Sequence, residues 1–211
     1  MAIRTDDVTG KLLECAKEEF LKNGYENASL RSIAARAGSS KGSIYFRFTD
    51  KESLYRELVQ PMADEFCNLL SDMLSGFKAM PPEEQRHNAI SYSDDAFPLL
   101  IDYIYQNFDI FKLLMTSGEN KATQEFMHRI VEIDVACTLE FIEHTGNDAV
   151  SAGRLTPNLA HLLSSAFYTG VFEVVVHDMP QDQAAEHIQR MRNFYKAGWK
   201  SIFEGSGGGL Q

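Results

Sequence analysis

The stretch Ser29–Lys51, SLRSIAARAGSSKGSIYFRFTDK, collects side chains suited to a polyanion. The ammonium groups of Lys41 and Lys51 can neutralise phosphates, and such contacts dominate affinity for nucleic acid and weaken steeply with salt. The Tyr45 hydroxyl can donate to a phosphate while its ring packs. Ser40 and Ser43 are short enough to let backbone approach, and their hydroxyls can meet phosphates or base edges. Gly42 permits close approach at a cost in helix propensity. Arg31 can reach a sugar-phosphate backbone, and the fork of Arg47 matches the two acceptors of a guanine.

Two short helices must hold these groups. Ser29 can cap the first by accepting an orphan backbone N–H. Leu30, Ile33, Ala34 and Ala37 then recur at the spacing that gives a helix one buried face. Gly38 falls where the chain must turn sharply, a position that favours a left-handed residue. Ser39 and Ser40 offer a new cap, and a second helix runs to about Arg47 with Ile44 and Phe48 pointing inward. A buried helix, a glycine turn and a second helix with a polar, basic and phenolic outer face describe a helix-turn-helix, whose second helix enters the major groove.

This segment resembles the DNA-binding region of the TetR family of bacterial transcriptional regulators. The resemblance rests on Ser29, Ile33, Ala34, Ala37-Gly38, then Ser40-Lys41-Gly42-Ser43-Ile44-Tyr45-Phe46-Arg47-Phe48, and Lys51-Glu52-Ser53-Leu54. Ser39 stands where the family usually has valine, and Arg47 where it often has histidine or tyrosine. The resemblance implies an all-α fold: a three-helix helix-turn-helix domain over 1–49, then a helical effector-binding and dimerisation domain over 50–204. It also implies that Tyr45 contacts a phosphate and adds Phe46 to the expected DNA-binding set of Arg31, Ser40, Lys41, Gly42, Ser43, Tyr45, Arg47 and Lys51.

The chain of 211 residues carries a net charge of −10, which by itself opposes a polyanionic partner. The charge is unevenly spread: residues 1–56 sum to +2 and residues 57–211 to −12. The acidic balance therefore lies outside the helix-turn-helix, leaving a small basic face for nucleic acid. No apolar stretch long enough for a transmembrane helix is expected, and the N-terminus is amphipathic rather than signal-like. Cys15, Cys67 and Cys137 sit in apolar helical patterns and predict buried thiols in a cytoplasmic protein.

Helical patterns run throughout. A first helix is expected from about Thr9 to Asn23, closed by Gly24, and a connector helix from Asp50 to about Met73, bent at Pro61. Gly76–Gln85 reads as a loop. Apolar and aromatic residues return from Phe97 to Leu114, with Pro98 opening a helix and Ser117-Gly118 ending the set. Phe126, Ile130, Ile133, Cys137 and Phe141 mark another helix, stopped near Gly146. Thr156-Pro157 gives a cap and a proline at the first helical position, opening the first of two long helices over 157–204. Residues 205–211 form a glycine-rich tail, expected to be flexible.

The last two helices form an antiparallel pair, and two such pairs from two chains can make a four-helix bundle. The family resemblance favours this homodimer, with Leu159, Leu163, Ala166, Gly170, Val174, Met191, Tyr195 and Trp199 as the contact set. Fourteen Phe, eight Tyr and eight Met could line an apolar pocket for a small apolar or aromatic effector. The candidate lining is Tyr103, Phe111, Phe126, Phe167 and Tyr168, with Asp134 or Glu173 as polar contacts.

Catalytic and metal chemistry finds little purchase. None of the six histidines pairs with another at helical spacing or joins cysteines at zinc-ligand intervals. Neither a phosphate-binding glycine loop nor a Gly-x-Ser-x-Gly elbow is present, and no cofactor or catalytic residue is expected. The sequence thus points to a ligand-responsive, dimeric regulator, foremost a repressor of a palindromic double-stranded DNA operator. The competing reading is an all-helical enzyme or small-molecule-binding protein in which the N-terminal helices serve only structure.

Overall fold

The computed structural model describes residues 5–118 and 120–205; the expected glycine-rich tail from Ser206 onward lies outside them. Regular structure among the described residues is all helical, as the periodicity predicts. The elements are α1 (Thr5–Asn27), α2 (Leu30–Arg36), α3 (Lys41–Arg47), α4 (Lys51–Lys78), α5 (Pro82–Asn88), α6 (Phe97–Gln106), α7 (Phe108–Thr116), α8 (Lys121–Thr145), α9 (Pro157–Val176) and α10 (Gln181–Glu204). They form two compact units. The first comprises the described residues up to Glu65 with Asn107–Glu125, the second Phe66–Gln106 with the described residues from Phe126 on. This division does not fall at residue 49: the first unit includes the opening half of α4 and all of α7, and α4 and α8 each contribute to both units.

In the first unit, α1 packs on α2 and on α7. Leu12, Ala16, Phe20, Ile33, Ala34, Ile44, Leu54, Tyr55 and Phe111 are buried, so every helix supplies part of one apolar core. Each large apolar side chain fully buried here contributes about 1.5–3 kcal/mol. Gly24 interrupts α1 as expected, with non-helical angles of φ 74 and ψ 162, and a short further stretch of helix runs on from this kink to Asn27. The kink brings Tyr25 against Phe20 and Tyr55, with ring centroids at 5.8 and 5.0 Å. The Tyr55 hydroxyl donates to Leu113 O at 3.0 Å, and burial pushes its pKa up to about 12.

Within the second unit, Phe66, Phe126 and Phe172 meet from α4, α8 and α9, with centroids 5.4 to 5.7 Å apart. Pro61 does not end α4, which runs on to Lys78. The expected loop over 76–85 is correspondingly shortened, because Pro82 occupies the first position of α5, where a missing N–H costs nothing. The Thr156 hydroxyl caps α9, accepting from Leu159 N at 3.1 Å, with Pro157 following. At Gly170 an added Cβ would lie 2.7 Å from Met191 Sδ, so α9 and α10 approach closely here because the residue is glycine.

The expectation that no segment could span a bilayer fails for α9. It is 20 residues long and includes an 18-residue window of mean hydropathy 1.5, enough by length and composition alone, as the core helix of a globular protein can also be. α9 is apolar on two sides: Ala160, Val171, Phe172, Val174 and Val175 are buried, while Leu159 and Leu162 are exposed.

Candidate nucleic-acid interface and ligand cavity

α2, the turn and α3 are fixed by local chemistry. Ala37 ends α2; Gly38 adopts φ 64, and Ser39 N closes the turn on Ala34 O at 2.8 Å. Ser40 then caps α3, its hydroxyl accepting from Ser43 N at 3.1 Å. Ile44 and Phe48 anchor α3 in the core. Glu19 of α1 is a buttress that sequence reasoning missed. Only 5% exposed, it accepts from Ser29 N at 3.2 Å and Ser32 Oγ at 3.0 Å, joining α1 to the start of α2. A carboxylate on the apolar side of α1 was the available signal.

The opposite side of α3 is open. Lys41, Gly42, Tyr45 and Phe46 are exposed, Phe46 by 85%. The Lys41 ammonium lies over the Tyr45 ring, 5.5 Å from its centroid. An added Cβ at Gly42 would meet only Ser40 Oγ, at 3.6 Å. The chain therefore does not require glycine there, and what glycine leaves bare is the outer surface of α3. Arg31 is exposed.

Two expected DNA contacts are otherwise engaged. Arg47 is half-buried; its Nε donates to Thr9 Oγ1 at 3.1 Å and its Nη1 to Ser43 O and Ser43 Oγ at 3.2 and 2.6 Å. Its fork thus fastens α3 to α1 instead of projecting toward a base. Lys51 donates through Nζ to Tyr25 O at 2.8 Å and Glu26 O at 2.9 Å, closing the C-terminus of α1, and lies over the Tyr25 ring. Carbonyls at a helix end attract a cation strongly. Ser43, which takes the Arg47 bonds, is half-buried as well.

The second unit contains a cleft of about 170 Å³ among α4, α8, α9 and α10. Asp134, Phe167 and Tyr168 line it, together with Phe97, Tyr195 and Trp199. Four expected lining residues lie elsewhere. Phe111 is core of the first unit, and Phe126 is held in the aromatic cluster with Phe66 and Phe172. Tyr103 is not part of the wall, and Glu173 is on the surface beside His177, 3.0 Å away. Aromatic type and helical spacing alone do not separate core from cavity wall. Cys137 also lines the cleft, and burial pushes its thiol up to about 12; such a group is a poor nucleophile.

The expected dimerisation set is likewise divided. Leu159 and Ala166 are exposed on α9, whereas Val174 is buried, Tyr195 and Trp199 face the cleft, and Gly170 receives Met191. Leu163 is half-buried. The largest outward apolar groups of the pair are instead Leu162, 64% exposed, and Phe194, 76% exposed.

A glycine turn between two short capped helices, with the second anchored on one side and bare on the other, defines a helix-turn-helix protein. Residues 12–58 match the bacterial regulatory proteins of the tetR family. The repressor AcnR of Corynebacterium glutamicum is 29% identical over 83 residues, which cover 38% of this chain and 44% of that one. The activator FasR of Mycolicibacterium smegmatis is 36% identical over 84 residues, covering 40% and 37%. The match thus spans under half the length of these relatives. A solved structure from Syntrophomonas wolfei, assigned to the TetR family of transcriptional regulators, shares the fold with a TM-score of 0.64 at 18% identity, covering 92% of this chain and 97% of that one. Over residues 12–58 the chain thus carries a helix-turn-helix like that of the tetR family of bacterial regulatory proteins.

Proposed function

We propose that this chain is a dimeric, cytoplasmic transcriptional regulator, acting as a repressor that holds a palindromic operator in double-stranded DNA and releases it when a small molecule fills the cleft of the second unit. The observation that carries this reading is the outer face of α3. Lys41 and Tyr45 offer a cation and a phenol for phosphates, Gly42 leaves the backbone approachable, and Phe46 stands 85% exposed. A purely structural role for α1–α3 gives no reason for such an aromatic on an anchored helix. That weighs against the enzyme reading.

One helix-turn-helix reads few base pairs, whereas two related by a twofold, roughly 34–36 Å apart, read a palindrome across one turn of DNA. The exposure of Leu159, Leu162 and Ala166 on α9 and of Phe194 on α10 supports such a twofold, which would bury these apolar groups. α4, which contributes to both units, is the natural carrier of a ligand response. A coupling of about 1–3 kcal/mol would lower operator affinity roughly 5- to 150-fold.

The test is retardation of the duplex upstream of the chain's own coding sequence, titrated with salt. Affinity should fall steeply with salt, and the double substitution Lys41→Ala with Tyr45→Ala should abolish the shift while leaving the helical circular dichroism intact. Retained binding in that variant removes α3 as the reading surface.

A further inference from the structure

The cleft of the second unit contains an ionisable group whose charge no basic side chain among the described residues answers. Asp134 Oδ2 accepts a hydrogen bond from Ser164 Oγ at 2.5 Å, and the Tyr168 hydroxyl donates to the same carboxyl group. Both donors are neutral. Among the described residues no Lys, Arg or His pairs with Asp134. The cations of the same wall are answered: Arg192 donates to Ser93 Oγ and Asp94 Oδ1, each at 3.0 Å, and lies over the Phe97 ring. Lys196 contacts the same Asp94 oxygen.

Asp134 is half-exposed, yet desolvation raises its pKa against the lowering effect of both hydrogen bonds. The two facts agree if its accessible surface looks into the cleft and not into bulk water. In the same cleft the rings of Tyr168 and Tyr195 each meet Phe167 edge to face, with centroids 5.2 and 5.1 Å away. Ring faces attract cations, and a partly desolvated carboxylate attracts them more strongly than one in water. The volume, about 170 Å³, compares with the roughly 150 Å³ of an apolar cavity that takes benzene.

We propose that this cleft binds a small aromatic ammonium ion, its charge on the Asp134 carboxylate and its ring among Phe167, Tyr168 and Tyr195. The effect on DNA rests on the regulator reading above, but the binding itself does not. On binding, a protonated Asp134 gives its proton to solvent and the ammonium takes its place as the partner of the carboxylate.

The experiment is calorimetric titration of the full chain, without DNA, with phenethylamine, 2-phenylethanol and phenylacetate, which differ in charge at nearly constant shape. Phenethylamine should bind at least tenfold more tightly than the alcohol, and phenylacetate more weakly than either. Asp134→Asn should bring the amine down to the level of the alcohol and leave the alcohol unchanged. If that variant does not fold, the wild-type series decides, with proton release read from buffers of different ionisation enthalpy. Equal binding of alcohol and amine, a preference that survives Asp134→Asn, or no binding of the amine at millimolar concentration overturns the proposal. Amine binding by a chain that binds no duplex would uphold it and remove the regulator reading; duplex binding with no amine binding would do the reverse.

Discussion

Arg47 Nε donates to the Thr9 hydroxyl at 3.1 Å, tying the end of α3 to the beginning of α1 across 38 positions of sequence. The same guanidinium holds Ser43 through backbone and side chain. Arg47→Ala removes three hydrogen bonds that are partly shielded from water, at about 0.5–1.5 kcal/mol each and not fully additive. A loss of about 1–3 kcal/mol in unfolding free energy is expected by denaturant titration. Because the side chain positions α3, operator affinity should fall by a similar factor for every sequence tested. A preference relaxed at one base pair only, in a binding-site selection, would instead return Arg47 to the role of base reader.

Lys41 and Lys51 carry the same group and should behave differently. Lys41 is exposed, with its ammonium over the Tyr45 ring, so it remains available to a phosphate. Lys41→Ala should reduce the slope of log affinity against log salt by about 0.9 for each phosphate that the ammonium neutralises in wild type. Lys51 is occupied by Tyr25 O and Glu26 O. Lys51→Ala should lower the thermal midpoint and leave the salt slope unchanged. Equal slopes for Lys41→Ala and wild type would remove Lys41 from the interface.

The head was legible in the sequence because its determinants are local. Ser29, Gly38 and Ser40 each act within a few residues of their own position, and the buried Ile33, Ala34 and Ile44 follow from spacing. What escaped was long-range. Nothing near Arg47 or Lys51 in sequence reveals that Thr9 or the carbonyls of Tyr25 and Glu26 will meet them. The few helical residues beyond Gly24 depend on packing, here that of Tyr25 on Phe20, whereas the passage of α4 through Pro61 follows the expected connector. In the second unit aromatics recur in both core and cleft, so composition could not say which form core, as Phe126 does, and which form wall, as Phe167 does.

The α9–α10 pair gives a test of assembly that separates outward from inward apolar groups. Leu162 and Phe194 are exposed, and a charge placed there meets water in one chain but a desolvated partner in a dimer. Leu162→Glu with Phe194→Glu should convert the protein to monomer in sedimentation velocity at micromolar concentration, with little loss of helicity. Val174 is buried within its own chain, so Val174→Ala should cost stability, about 0.5–3 kcal/mol as for small core deletions, without changing the mass. A dimer that persists in the double variant places the twofold on another face.

Asp134 makes stability depend on pH in a predictable direction. Burial raises its pKa in the folded chain above the ordinary 3.8, so the folded state holds the proton more tightly than the unfolded one. The resulting stabilisation is complete below the ordinary value and is lost as pH rises through the raised one. Its neighbours do not blur this window: burial holds Tyr168 well above 10 and Cys137 at about 12, so both stay protonated throughout. Asp134→Asn cannot titrate. The thermal midpoint of wild type minus that of the Asn variant should therefore decline as pH increases from about 4 toward neutrality. Phenethylamine, by supplying the missing positive charge, should reverse that decline at neutral pH in wild type and stabilise the variant no more than 2-phenylethanol does. A difference that stays flat with pH would mean that Asp134 is already answered in the folded chain, and the case for a cationic ligand would go with it.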